Sequence, residues 1–111
     1  MWRDDAYLLD ILVAARKVRA FTSGVTRERF DQDEVLQNAV LRMLEIIGEA
    51  SRSISDERKD AHPGIPWRQI VGMRNKLIHH CFRVDADKVW DTVQNDIPAL
   101  IEAVEPLVPE E

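Results

Sequence analysis

The spacing of the apolar residues constrains this chain most, because they recur at intervals of three and four positions. In the first segment, from Asp5 to Ala20, the series is Leu8, Ile11, Leu12, Ala15 and Val18. In the second, from Asp33 to Ser53, it is Leu36, Val40, Leu44 and Ile47, with Leu41 beside them. These intervals match the turn of an α-helix and place the apolar side chains on one face. Each segment is therefore predicted to be an amphipathic helix with one buried face.

Two further helices are predicted in the second half of the chain. Pro66 suits a first helical turn, because the N–H that it lacks would have no partner there. The apolar positions that follow are Ile70, Met73 and Leu77 on one stripe, with Val71 and Ile78 on another. Asp85 is a suitable N-cap for the last helix, in which Pro98 is predicted to cause a kink or a restart. The apolar positions of that helix are Trp90, Val93, Ile97, Leu100, Ile101 and Val104.

The segments between these helices are predicted to be connections. Thr22, Ser23 and Gly24 end the first helix, and residues 51–64 form a polar link with Pro63-Gly64 as its turn. Alternation of apolar and polar residues beside a hairpin turn does not occur, so strands are not expected. The predicted fold class is all-α: an up-and-down bundle of four to five helices that forms a single domain over residues 1–111.

The composition narrows the class of protein. The chain has 111 residues, of which 45% are hydrophobic and 32% charged, as in folded soluble proteins. The longest apolar run is too short to cross a bilayer, and the first residues lack the pattern of a secretory signal, so the cytoplasm is the expected location. Cys81 is the only cysteine, which excludes an intrachain disulfide and a four-cysteine zinc site. A chain this short buries a small core, so pairing with a second copy would stabilise it.

The charge distribution favours a local anion site over a general one. A net charge of -5 disfavours a broad electrostatic surface for nucleic acid. The segment from Trp67 to Arg83 nevertheless contains no acidic residue. Its cationic residues are Arg68, Arg74, Lys76 and Arg83, and it also holds His79 and His80. A focused binding site for an anion therefore fits this segment best.

Arg74 and His79 suit the cleavage of a phosphodiester. A guanidinium can bind two phosphate oxygens at once, and an imidazole can exchange a proton near neutral pH. RNA supplies its own nucleophile in the 2′-OH, so neither a metal nor another cofactor is required. On a regular helix, two side chains five positions apart point in directions that differ by about 140°. Arg74 and His79 would therefore converge only if the helix is distorted, if the long arginine side chain reaches around the helix, or if a two-fold dimer brings two copies together. Asn75, four residues before His79, shares its face.

Other interpretations of the same residues stay open. The spacing also fits a plain amphipathic helix whose solvated face carries Arg74, Lys76, His79 and Arg83. A metal site is not predicted, because the adjacent His79, His80 and Cys81 lack the usual ligand separations of a zinc site. Asn95 and Asp96 are predicted to cap the helix break before Pro98. Trp2, Trp67 and Trp90 would serve as core or interface anchors of a structural helical dimer.

Three sequence blocks resemble those of HepT-like proteins in the HEPN superfamily. They are Ile65-Pro66-Trp67 through Gly72-Met73-Arg74-Asn75-Lys76-Leu77-Ile78-His79-His80-Cys81-Phe82, Ile46-Ile47-Gly48-Glu49-Ala50, and Asn95-Asp96-Ile97-Pro98-Ala99-Leu100. The resemblance implies a homodimeric all-α bundle that acts as a metal-independent endoribonuclease toxin, with tRNA among its expected substrates. It also implies a partner, a minimal nucleotidyltransferase antitoxin of the MntA type.

The resemblance also assigns roles to individual residues. The family motif of Arg, four residues, His, one residue and Tyr maps its catalytic arginine onto Arg74 and its histidine onto His79. The tyrosine, to which the antitoxin adds AMP, is replaced here by Cys81. The residues implied to bind RNA or phosphate, or to support the site, are Asn75, Lys76, His80, Arg83 and Glu49. Glu49 is either a buried carboxylate of the site or a surface glutamate.

An alternative function from another class is a non-catalytic binding module. The same helical dimer could dock a nucleotidyltransferase or bind a nucleotide, with Arg74 holding phosphate without cleavage. Cleavage of RNA in the presence of a chelator distinguishes the enzyme from the module.

Overall fold

All four segments with helical periodicity form helices in the computed structural model, which describes residues 2–77 and 85–109. In chain order the α-helices are α1 (Trp2–Thr22), α2 (Arg27–Gln32), α3 (Glu34–Ser53), α4 (Asp56–Ala61), α5 (Trp67–Leu77), α6 (Ala86–Asp91) and α7 (Ile97–Val104). A π-helical turn, Thr92–Asp96, joins α6 to α7, and a 3-10 turn, Glu105–Leu107, follows α7. No strand occurs in the described residues, and the predicted all-α fold is confirmed.

Side-chain caps explain where two of the predicted helices begin. Asp33 caps α3, because its Oδ1 accepts a hydrogen bond from the backbone N–H of Leu36 at 2.9 Å. The predicted N-cap of the last helix is confirmed, since Asp85 Oδ1 accepts from the N–H of Lys88 at 3.2 Å. Each bond satisfies a backbone donor that has no partner within the helix. Pro66 lies one residue before α5, not within its first turn, and its carbonyl accepts from Ile70 at 3.0 Å.

Two short helices, α2 and α4, lie where connections were predicted. Thr26 caps α2, accepting from the N–H of Arg29 at 3.1 Å, and Ser55 caps α4, accepting from the N–H of Arg58 at 3.2 Å. The prediction of a polar link over residues 51–64 is wrong for α4, and the predicted count of four to five helices is too low. Helices of six residues are too short to show an apolar repeat, and α4 buries none of its side chains.

A buried carboxylate at the start of α1 holds α4 in place. Asp4 is 4% exposed and accepts two hydrogen bonds from Ser55, from the hydroxyl at 2.6 Å and from the backbone N–H at 2.9 Å. Beside them, Arg58 Nη1 lies 3.3 Å from Asp5 Oδ1. The two bonds from Ser55 lower the pKa of Asp4 below its usual value of 3.8, although burial acts in the opposite direction.

This arrangement predicts acid sensitivity. Because the folded state lowers the pKa of Asp4, the stabilisation is present above the unfolded pKa and is lost as the pH falls through the folded value. We expect the free energy of unfolding to decrease between pH 5 and pH 2, about the range in which such carboxylates protonate, more steeply in the wild type than in Asp4→Asn. Urea titrations at several pH values measure this, with Asp10→Asn, an exposed position on α1, as the control. Parallel profiles for wild type and Asp4→Asn would contradict it.

The core lies where α1 contacts α3 and α7, and where α3 contacts α5. The largest fully buried side chains of the described residues are Phe30, Leu8, Ile11, Leu44, Ile47 and Ile97. Trp67 is a core anchor, 8% exposed, with its Nε1 donating to the carbonyl of His62 at 3.1 Å. Trp90 is half-buried, its ring centroid 5.1 Å from that of Phe30. The side chain of Trp2 is not among those that the structure describes.

Pro98 restarts the last helix, as predicted. The backbone N–H of Ile97 bonds to the carbonyl of Thr92, five residues back, so the chain widens into the π-helical turn just before the proline. Pro98 then lies in the first turn of α7, the position of a helix at which proline is best tolerated. The predicted capping by Asn95 and Asp96 is wrong. Asp96 makes no capping bond with its side chain, and Asn95 Nδ2 instead donates to Asp91 Oδ1 at 2.7 Å.

None of the helices in the described part of the chain combines the length and the apolar character needed to cross a membrane.

Candidate functional site

The residues predicted to act chemically lie at the end of α5 and just beyond it. The backbones of Arg74, Asn75 and Lys76 belong to the last turns of α5, but their side chains are not among the described ones. The other predicted site residues of this region, His79, His80, Cys81 and Arg83, lie outside the described residues. The structure therefore describes the backbone of the helix that carries Arg74, whereas His79, the other residue predicted to be catalytic, lies outside the described residues.

The first half of α5 is firmly packed. Trp67 and Ile70 are buried, and Met73 packs against the core at its edge. These three residues recur at intervals of three and therefore follow one side of the helix. The indole hydrogen bond to the carbonyl of His62 ties the start of α5 to the preceding loop. Arg74 therefore directly follows the last of three anchoring positions, so its backbone is held by the core although the residue itself is polar.

A cavity of about 690 Å³ opens beside α5. Its walls come from α3, the loop before α5, α5, α6, the π-helical turn and α7. The apolar residues that line it include Ile47, Ile70, Met73, Ile97 and Leu100, and the polar ones are Gln69, Lys88, Asp91, Thr92 and Asp96. Met73 lies in this wall and precedes Arg74 in the chain, so the cavity adjoins the segment that carries the predicted motif.

The charged residues of the cavity lining come from one side. They are Lys88 and Asp91 of α6 and Asp96 of the π-helical turn. The sequence of α5 contains Arg68, Arg74 and Lys76 and no acidic residue, and none of these three is among the lining residues. Partial removal of the Asp96 carboxyl from water raises its pKa, and the negative charge of Asp91 raises it further.

Sequence reasoning missed this cavity and assigned Asp96 only to a cap. The available signal was the proline inside an apolar helix, since irregular helical turns with one extra residue are frequent at functional sites. That signal marks an irregular backbone at Asp96, but it does not reveal which helix faces it.

Glu49 is not the buried carboxylate that was one of its two expected roles. It lies on α3 with an exposed side chain, which is the other expected role, that of a surface glutamate. Its backbone carbonyl accepts a hydrogen bond from the hydroxyl of Ser53 at 3.1 Å. Because α3 packs directly against α5, a surface glutamate on α3 can still lie near the predicted site.

Comparison with known proteins identifies the family. The model of the family described as "Ribonuclease HepT-like" matches residues 11–107, which include all helices from α2 to α7 and most of α1. The chain belongs to this HepT-like family. The resemblance seen in its three sequence blocks is thereby confirmed.

Two relatives match over most of their length. The chain is 49% identical over 94 residues to a Thermococcus cleftensis protein named "Probable ribonuclease HepT", covering 85% of this chain and 86% of the relative. It is 41% identical over 100 residues to a Methanocaldococcus jannaschii protein named "Putative RNase", covering 90% of this chain and 92% of the relative. No solved structure matches the chain significantly.

Proposed function

We propose that this protein is a metal-independent endoribonuclease that cleaves RNA with Arg74 and His79. The observation that carries the proposal is the family match, which extends over both residues. Two further observations support it. The spacing of the two residues agrees with the motif of the family, and the segment from Trp67 to Arg83 contains no acidic residue that would repel a phosphate.

The proposed reaction uses the 2′-OH of the RNA as the nucleophile. His79 exchanges a proton with the reacting oxygens, and the Arg74 guanidinium stabilises the negative charge that grows on the phosphorus-bound oxygens. The 2′ oxygen forms a bond to phosphorus while the 5′ oxygen of the next nucleotide leaves and takes up a proton. The products then carry a 2′,3′-cyclic phosphate and a free 5′-OH.

The remaining site residues are proposed to hold the RNA and the motif. Asn75, Lys76, His80 and Arg83 would contact phosphates in this proposal, since all four can donate hydrogen bonds to an anion. Glu49, exposed on α3 beside α5, would support the motif by its negative charge.

A two-fold homodimer is proposed to complete the site. On a regular helix Arg74 and His79 would differ in direction by about 140°, so one copy of the segment aligns them poorly. Two copies related by a two-fold axis can form one cleft that takes groups from both. Static light scattering should therefore give the mass of a dimer at micromolar concentration. A monomer would contradict this part of the proposal.

The experiment that tests the enzyme is incubation of the purified protein with total cellular RNA and purified tRNA in the presence of a chelator. Cleavage with cyclic-phosphate ends is expected. If every class of RNA stays intact, the ribonuclease proposal is wrong and the binding module becomes the better account.

As a biological role, we propose a toxin that a minimal nucleotidyltransferase neutralises as its antitoxin. Because Cys81 replaces the tyrosine of the family motif, position 81 offers a thiol, not the phenol that would accept AMP. With the cognate transferase and ATP, we expect no AMP on Cys81 of the wild type. Cys81→Tyr should gain AMP, visible as an increase in the mass of the intact protein, and should lose ribonuclease activity when modified. A bulky anion beside His79 would repel the RNA phosphate.

The matched control for this substitution is Cys81→Phe, which adds an aromatic ring without a hydroxyl. It should gain no AMP. Modification of Cys81 itself, or an unmodified Cys81→Tyr beside an active transferase, would contradict this account of position 81.

A further inference from the structure

The cavity beside α5 has the size and the lining of a site for a small molecule. Its volume of about 690 Å³ lies within the range of about 300–1,000 Å³ that is usual for such sites. The floor is apolar, with Ile70, Met73 and Leu100, whereas Gln69 and Asp96 are polar groups in the lining. An apolar floor with a few polar groups is the usual composition of a ligand site.

The position of the cavity relates it to the proposed chemistry. Met73 lines it and is the residue before Arg74 in α5. Asp96 ends the π-helical turn that faces α5. A group bound in the cavity would therefore lie beside the part of α5 that carries Arg74.

We infer that the cavity binds one base of the RNA beside the cleaved phosphate and thereby sets the sequence preference of cleavage. This inference rests on the proposed ribonuclease function. Proteins that recognise RNA by sequence usually bind unstacked bases, which they contact on their flat faces and hydrogen-bond at their edges. Here the apolar floor fits the face of a base, and Gln69 and Asp96 fit its edge.

The carboxylate of Asp96 determines which bases are favoured. An ionised carboxylate only accepts hydrogen bonds, so it selects bases with an exocyclic amino group. Cytosine, adenine and guanine carry such a group, whereas uracil has only carbonyl groups at its exocyclic positions. Asp91 and Asp96 also outnumber Lys88 in the lining, so the cavity favours a neutral base over a phosphate.

A second copy of the chain fits this cavity less well than a base. The centres of protein interfaces are depleted in charged residues, whereas this lining contains Lys88, Asp91 and Asp96. In a two-fold contact the same surface meets itself, so two copies of this lining would bring the carboxylates of four aspartates together with only two lysines. Burial of that net negative charge is unfavourable.

The test measures binding separately from cleavage. The probes are fluorescein-labelled 2′-O-methyl hexamers of cytidine, adenosine and uridine, in which the nucleophile is blocked, and the readout is fluorescence anisotropy. We expect the wild type to bind the cytidine or the adenosine hexamer about tenfold more tightly than the uridine hexamer. In Asp96→Asn this ratio should fall close to one, because an amide both donates and accepts.

A second variant fills the cavity without altering the core. Ala103 lines the cavity and is exposed on α7, so Ala103→Phe should abolish the preference while the protein stays folded. The matched control is Ala20→Phe, at an exposed position of α1 outside the lining, which should keep the wild-type preference.

Three outcomes would overturn the inference: equal binding of the three hexamers by the wild type, an unchanged preference in both cavity variants, or loss of the dimer in Ala103→Phe with the preference retained. The last would make this surface an interface between copies. The ribonuclease proposal fails separately, if no unmodified RNA is cleaved although the hexamer preference is present.

Discussion

His79→Ala and Arg74→Ala should each lower the rate of RNA cleavage by about 10²- to 10⁴-fold, the usual contribution of a proton-transfer group or a donor to transition-state charge. His79→Ala removes the group that exchanges the proton, and Arg74→Ala removes the charge that opposes the developing anion. Gel assays on a labelled RNA, with a chelator present, measure the rate. Circular dichroism should show unchanged helicity, because the buried anchors of α5 are Trp67 and Ile70 and remain in place.

Matched controls remove the same residue types elsewhere. Arg52→Ala deletes an exposed arginine in the last turn of α3. His62→Ala deletes a histidine whose backbone carbonyl, not its side chain, accepts the bond from Trp67. Both should keep rates close to that of the wild type. Full activity in His79→Ala would remove the proposed mechanism, and equal losses in the controls would show an effect of charge or stability alone.

Phe30→Ala should lower the free energy of unfolding by about 3–5 kcal/mol, the usual cost of truncating a buried aromatic residue. Phe30 is 0% exposed, and its ring lies at 46° to that of Trp90 with 5.1 Å between the centroids. The substitution leaves a cavity between α2 and α6 and removes the aromatic contact. An ion pair of 2.6 Å between Arg27 and Asp87 links the same two helices, but both side chains are substantially exposed and it contributes little.

The control for this prediction is Phe21→Ala, in which the same change is made at a side chain that is 40% exposed. We expect a loss of about 1 kcal/mol or less there, because much of this ring is already in contact with water. Urea denaturation of both variants gives the two values. Losses of equal size would show that Phe30 is not a specific core contact.

The large helices and the family could be predicted from the sequence because their signals are local. The apolar positions of α1 and α3 repeat with the turn of a single helix, and Asp33 and Asp85 cap helices through residues only three positions away. The motif around Arg74 is likewise a short stretch of chain. Each of these features depends on neighbours in sequence, so no knowledge of the tertiary fold was needed.

The helix α4 and the cavity depend instead on residues far apart in the chain. Ser55 at the start of α4 bonds to Asp4, 51 positions away, and no repeat in the chain records that contact. The cavity exists because Met73 of α5 and Asp96 of the π-helical turn form walls of one space. The sequence by itself thus determined the all-α class, the main helices and the motif segment. Only the tertiary structure decided that Asp96 and Met73 line one cavity and that Glu49 is exposed, because packing between helices sets which side chains share a space or lose contact with water.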